Sequence, residues 1–99
     1  MITKLKPTMS TVVDAVLSHK GMALHEIQLN TRKRPVVYVR QLTMYMLTMY
    51  TNMNQRKISE LFNKDHTTVI HSVQTINDLL CYDEGVKNDV AAIKILIGE

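Results

Sequence analysis

Two groups of side chains carry most of the chemistry this chain can offer. One is the run Asp65-His66-Thr67-Thr68, with His71 one turn later. The other is a set of cations, Arg32, Lys33, Arg34, Arg40, Arg56 and Lys57, filling an interval from Glu26 to Glu60 in which no acidic residue occurs. A carboxylate, an imidazole and two hydroxyls in one short run present both donors and acceptors to the polar edges of a partner. Cations with no carboxylate among them attract phosphate. The pair of groups therefore points to duplex DNA, with short polar side chains for base edges and ammonium or guanidinium groups for the backbone. Acidic residues collect instead towards the C-terminus, at Asp78, Asp83, Glu84, Asp89 and Glu99, as expected of a region turned away from phosphate. The plainer alternative is a solvated charge run.

Other chemistries fit poorly. His66 and His71 stand five apart, which on a helix separates them by about 140°, whereas zinc-binding pairs use i, i+4 spacing and need a third ligand. His25 and Glu26 are sequence neighbours on an expected helix and face different directions. No nucleophile, base and orienting group fall together, so no catalytic residue, metal or cofactor is expected, and no small-molecule substrate. The glycines are Gly21, Gly85 and Gly98, so these residues contain no Gly-x-x-x-x-Gly-Lys phosphate loop. ATP hydrolysis of that kind would have to come from a partner bearing an ATPase.

Twelve Lys and Arg against nine Asp and Glu give a formal charge of only +3 over 99 residues, so the distribution of charge says more than its total. This length suits one domain. A single cysteine, Cys81, allows no internal disulfide and fits a reducing compartment. No apolar run approaches a membrane span and no signal-peptide core is visible. A cytoplasmic, nucleoid-associated protein without a membrane partner is the expectation.

The elements that must position these residues are helical. Asp65 predicts an N-cap accepting from the N–H groups of Thr67 or Thr68. Beyond it Val69, Val73, Ile76 and Leu80 repeat at i, i+4, i+7 and i+11, marking a buried face. Thr67, His71, Gln74, Thr75 and Asp78 fall opposite, with Thr68 beside them, while the angle of His66 lies nearer the buried face. Upstream, Asn54 caps an expected two-turn helix burying Ile58, Leu61 and Phe62. Short helix, tight turn and longer helix describe a helix-turn-helix or an ordinary αα-hairpin, and spacing leaves both open.

Residue identity separates them. Asp65-His66-Thr67-Thr68-Val69-Ile70-His71-Ser72 resembles the Asp-His-Thr-Thr signature of the C-terminal DNA-binding domain of the bacterial replication initiator DnaA. Arg32 falls where that family keeps a minor-groove arginine, and Arg40-Gln41 matches its phosphate-contacting Arg-Gln pair. The likeness runs from about Thr8 to Leu96. It implies an all-α, TrpR-like bundle of about six helices over residues 8–99, following an arm over residues 1–7. It also implies base contacts from Asp65, His66, Thr67 and Thr68 in the major groove of a DnaA-box-like site, in replication initiation or its regulation. The chain departs from the family pattern in three ways. The segment between Phe62 and Asp65 is one residue shorter than the usual Phe-Gly-Gly-Arg-Asp, Lys64 replaces its arginine, and Thr48 stands where many members carry lysine. Two alternatives stay open: a helix-turn-helix transcriptional regulator, and a protein-interaction module that has lost DNA binding.

The remaining chain is read in order. A first helix is expected from Ser10 to Lys20, capped by Ser10 or Thr11, with Asp14 in its first turn and Gly21 as its stop. A short helix over Ala23 to Leu29 would bury Leu24, Ile27 and Leu29. Asn30 to Pro35 is a basic loop whose proline holds Arg34 extended. Arg32 is suited to a narrow, A·T-rich minor groove, and Lys33 and Arg34 to the DNA backbone. From Val36 to Thr51 a long central helix would turn Val39, Leu42, Met46 and Met49 inward, with the methionines and tyrosines as core rather than a cofactor box. Arg40, Gln41 and Thr48 would follow one DNA strand on its outer side, joined in contacting the backbone by Arg56, Lys57 and His71. A last helix opened by Asp83 or Glu84 carries Val86, Val90, Ile93 and Ile97, and would brace the back of the reading helix.

Overall fold

Thr8 sets the beginning of the first helix. In the computed structural model, which describes residues 7–99, its extended backbone (φ −80°, ψ 165°) and its Oγ1, accepting from the Thr11 N–H at 3.3 Å, cap α1 (Met9–Lys20). The cap is therefore Thr8, not Ser10 or Thr11. With the helix starting at Met9, Thr11 becomes the third residue, whose free N–H needs the acceptor, and Asp14 moves beyond the first turn. Residues 1–6 of the expected arm lie outside the described residues. α1 buries Val12, Val13, Ala15 and Val16, and Gly21 ends it in the left-handed region at φ 68°.

α2 (Leu24–Gln28) starts where Glu26 reaches back to the Ala23 N–H at 3.1 Å, so the glutamate beside His25 caps a helix. Ile27 is fully buried, but Leu29 is 55 % exposed. Its expected burial fails because the helix has already ended at Gln28 and the extended backbone at Leu29 turns the side chain outward.

α3 (Arg34–Tyr50) begins earlier than predicted, and Arg34 is its first residue rather than an extended one. Pro35 lies in the first turn, where its missing N–H has no intrahelical partner to lose. The helix is the pillar of the molecule, packed against α1 and α2 and against the next two of the three helices that follow it. Its middle is buried nearly all round: Val39, Leu42, Met44, Tyr45, Met46 and Leu47 are core. The expected stripe was too narrow, and its last member, Met49, is half exposed, because the neighbours enclose the helix centre and leave its C-terminal turn open.

α4 (Gln55–Phe62) and α5 (His66–Leu79) form the helix-turn-helix, and α6 (Glu84–Leu96) closes the chain. Asp83 caps α6, accepting from the Val86 N–H at 3.1 Å, and Val86, Val90, Ile93 and Ile97 are buried as expected. The back of α5 is covered mainly by α3; α6 rests chiefly on α1. A clasp explains this arrangement. Asp89 on α6 accepts from Tyr38 Oη at 2.6 Å and Lys20 Nζ at 3.2 Å, and pairs with His19 Nε2 at 2.8 Å, tying α6 to α1 and α3. Every described residue falls in helix, turn or coil, so the described chain is an all-α bundle of six helices.

Candidate nucleic-acid interface

The turn between α4 and α5 is built by one residue in an unusual conformation. Asn63 adopts φ 53°, ψ 44° and ends α4; its N–H donates to Glu60 O at 3.2 Å, and the Lys64 N–H donates to Ser59 O at 2.9 Å. Asparagine tolerates the left-handed region better than other non-glycine residues. This closes the shortened Phe62-to-Asp65 link without a glycine pair. Fully buried Phe62 anchors one side of the turn.

Asp65 then starts α5. Its Oδ1 accepts from both the Thr68 N–H and Thr68 Oγ1, each at 2.8 Å. The backbone bond, followed by the hydroxyl bond, holds its carboxyl below the usual carboxylate range. Thr68 is half-buried and its hydroxyl turns back to the cap, whereas His66 and Thr67 are exposed. The wheel angle of His66 misleads because it is the first helical residue, where the chain is just emerging from the turn. Arg56, Lys64, Asp65, His66 and Thr67 line one open cleft. Further along α5 His71, Gln74 and Asp78 are exposed, Thr75 is half-buried, and Val69, Ser72 and Ile76 face the core.

The basic segment lies on another side of this face. Arg32, Lys33 and Arg34 are exposed, and Arg32, Arg34 and Gln41 share a cleft with Thr75 of α5. Arg32 thus borders one cleft with the C-terminal half of α5, and Asp83 and Asp89, expected on a region turned away from the cations, line the same cleft. Arg56 and Lys57 are exposed on α4, Arg56 facing Glu60 at 3.6 Å on the open surface. A pair so exposed holds the arginine weakly.

Arg40 is in a different place from that expected. It is 7 % exposed, with Nε donating to Ile27 O at 2.8 Å and Nη2 to Leu29 O at 2.6 Å and Thr31 O at 3.5 Å. Desolvation lowers its pKa. Thr48, expected on the same strand-following row, is half-buried, its hydroxyl donating to Met44 O at 2.9 Å. Of the row Arg40, Gln41 and Thr48, half-buried Gln41 alone lines the cleft that holds Arg32 and Arg34. Arg40 leaves the row because the flank of α3 that bears it is covered by α2 and the segment that follows it.

Two kinds of residue escaped the sequence reading. Ile70 is 46 % exposed on the outer face of α5, near Thr67 and Gln74 on the helix wheel; its type suggested burial, but Val69 and Ile76 already define the inner face. Gln28 and Asn30 brace the turn, Gln28 Nε2 donating to Leu61 O at 2.8 Å and Lys64 Nζ to Asn30 Oδ1 at 3.1 Å. No local pattern signals contacts between positions so far apart in the chain.

Comparison with known proteins bears directly on this geometry. Residues 9–76, from the start of α1 into α5, match the family described as the bacterial dnaA protein helix-turn-helix. The chain belongs to this DnaA helix-turn-helix family. It is 38 % identical over 86 residues to the chromosomal replication initiator protein DnaA of Bartonella quintana, covering 86 % of this chain and 17 % of that protein. It is 32 % identical over 91 residues to DnaA of Bacteroides fragilis, covering 91 % of this chain and 19 % of that one. DnaA of Caldanaerobacter subterraneus is 30 % identical over 87 residues, covering 88 % of this chain and 20 % of its own length. The chain therefore spans about a fifth of the curated relatives it matches. The matched stretch of the DnaA-type domain contains the whole basic segment and the turn, while α6, with its Asp89 clasp, lies beyond it. Among the described residues, no helix is long and apolar enough to cross a membrane.

Proposed function

We propose that residues 8–99 are a sequence-specific duplex-DNA-binding domain for a DnaA-box-like site, acting in replication initiation or its regulation. The observation that carries the reading is the exposure of His66 and Thr67 at the start of α5, in a cleft they share with Arg56 and Lys64. Arg32 and Arg34 line a second cleft, which meets α5 further on at Thr75 and Leu79 and also holds Asp83 and Asp89.

In this mechanism the start of α5 enters the major groove while α4 lies across the backbone. Asp65 keeps its second carboxylate oxygen available to accept from a cytosine or adenine amino group, and His66 and Thr67 meet neighbouring base edges. Thr68 secures the helix start and offers its methyl to a thymine. Ile70, exposed one turn on, suits a thymine methyl in the same groove. Arg32 enters the adjacent minor groove. Lys33, Arg34, Arg56, Lys57 and His71 supply phosphate contacts, with Gln41 at the cleft edge. The domain works in the cytoplasm, at the nucleoid, alongside an ATPase-bearing replication protein.

A mobility-shift titration comparing a DnaA-type box with a scrambled duplex across a salt series tests this. The box complex is expected to survive at salt concentrations that release the scrambled duplex. Equal retention of both duplexes would remove sequence reading, and no retention of either at low salt would favour the interaction-module alternative.

A further inference from the structure

We propose that Arg40 is a positioning residue, which holds the segment from Ile27 to Thr31 as a brace shared by the minor-groove arginine and the helix-turn-helix turn. The proposal rests on the DNA-binding reading above. Arg40 gathers the carbonyls of Ile27, Leu29 and Thr31 around one guanidinium. Between them in sequence, Gln28 and Asn30 reach the other way, to Leu61 O and to Lys64 Nζ at the turn preceding Asp65. Thr31 continues the ordering, its Oγ1 accepting from the Lys33 N–H at 3.3 Å. The next side chain after this anchored stretch is Arg32. A planar cation with several fixed donors can collect three carbonyls at once; lysine, with its flexible point charge, is a poor substitute.

The consequence is geometric. The two parts that would meet different grooves of one duplex are set at a fixed separation by a five-residue strap instead of by direct contact. Arg40 then affects DNA binding without touching phosphate, and the salt dependence separates the two roles. A phosphate contact contributes about 0.9 to the slope of log K against log salt, whereas a brace contributes nothing to it.

The test measures binding to a DnaA-type box and to a scrambled duplex, by fluorescence anisotropy across salt, for the full chain, for two variants that weaken the brace and for Arg40→Ala. Replacing Gln28 and Asn30 together by alanine removes only exposed side chains, so folding is retained. Arg40→Lys keeps the charge and removes the fork. Each is expected to weaken box binding about fivefold or more, the effect of roughly one net hydrogen bond, while the salt slope stays within about 0.3 of the parent's. In amide NMR spectra of the free proteins, the changes are expected to concentrate in residues 27–33 and 61–65. Unchanged box affinity in the Gln28/Asn30 variant would overturn the brace. So would a slope reduced by about 0.9 in Arg40→Ala, read at the same duplex. If the parent chain itself fails to prefer the box, the DNA-reading proposal falls, and the brace falls with it as a device for binding.

Discussion

The proposed function gives Asp65 a second role beside its cap, and one substitution divides the two. One oxygen, Oδ1, takes both hydrogen bonds from Thr68, at 2.8 Å each. The other oxygen takes no hydrogen bond among the described residues and is the one the proposed mechanism offers to a base. Asparagine caps helices about as well as aspartate, so Asp65→Asn is expected to change unfolding free energy by less than about 0.5 kcal/mol, whereas Asp65→Ala loses about 1 kcal/mol. In a domain of this size the alanine variant should melt about 4–8 °C lower. For DNA the order reverses. Asparagine puts an NH2 donor where the second carboxylate oxygen was, so an amino group on the base now meets a donor. Losing one specific base contact costs about 1–3 kcal/mol of discrimination, or about 5- to 150-fold between the box and a duplex altered at that one base pair. Thermal melts followed by circular dichroism give the first quantity, and anisotropy titrations with single-base-pair box variants give the second. An asparagine variant that melts with the parent yet still discriminates fully would reduce Asp65 to a cap. An asparagine variant as unstable as the alanine one would refute the capping geometry itself.

Three further outcomes follow from the same structure. With about five cations meeting phosphate, log K should fall against log salt with a slope of roughly −4 to −5. Arg34→Ala should reduce that slope by about 0.9, while Thr67→Ala should leave it unchanged and erode preference for the box; a reversed pattern in salt titrations would remove both assignments. Asn63→Gly should be neutral or stabilising, and Asn63→Val should lower stability by about 1–2 kcal/mol, since valine at φ 53° is strained; equal melting temperatures for the two would contradict the left-handed turn. The Asp89 clasp should give an acid-sensitive term. Burial works against the carboxylate, but its bonds from Tyr38, His19 and Lys20 outweigh that and lower its pKa. Its contribution is therefore present above the ordinary carboxylate pKa and lost as pH falls through the lower folded value. Denaturant titrations below about pH 4 should show the parent losing stability towards that of Asp89→Asn; a constant gap between them would rule the clasp out. The Tyr38 hydroxyl is shifted upward by burial and by Asp89, so it stays protonated and able to donate to that carboxylate well above neutral pH.

The all-helical class and the caps at Asn54 and Asp65 could be read from the chain, as could a cap at Asp83 or Glu84, because each depends on residues three or four positions apart; the helix-turn-helix needed residue identity as well, since spacing allowed an αα-hairpin. Cap bonds to the N–H three residues on, and buried rows such as Val86, Val90, Ile93 and Ile97, are local in this sense. Helix start was less certain where several hydroxyls compete, and Thr8 displaced Ser10 and Thr11. Periodicity also failed at the pillar, because it detects one buried face and α3 is enclosed on several, with Met49 left outside.

The environment of the functional groups was decided by folding. By type and position Arg40 looked like another phosphate ligand; its acceptors are backbone carbonyls nine to thirteen residues earlier, which no side-chain pattern encodes. Gln28 and Asn30 became braces only because the chain brings them beside a turn more than thirty residues on. The identities Asp65, His66 and Thr67 stated what kind of partner could be read. Which cations stand free to meet that partner, and which hold the protein together, followed from burial and from the directional hydrogen bonds that burial requires.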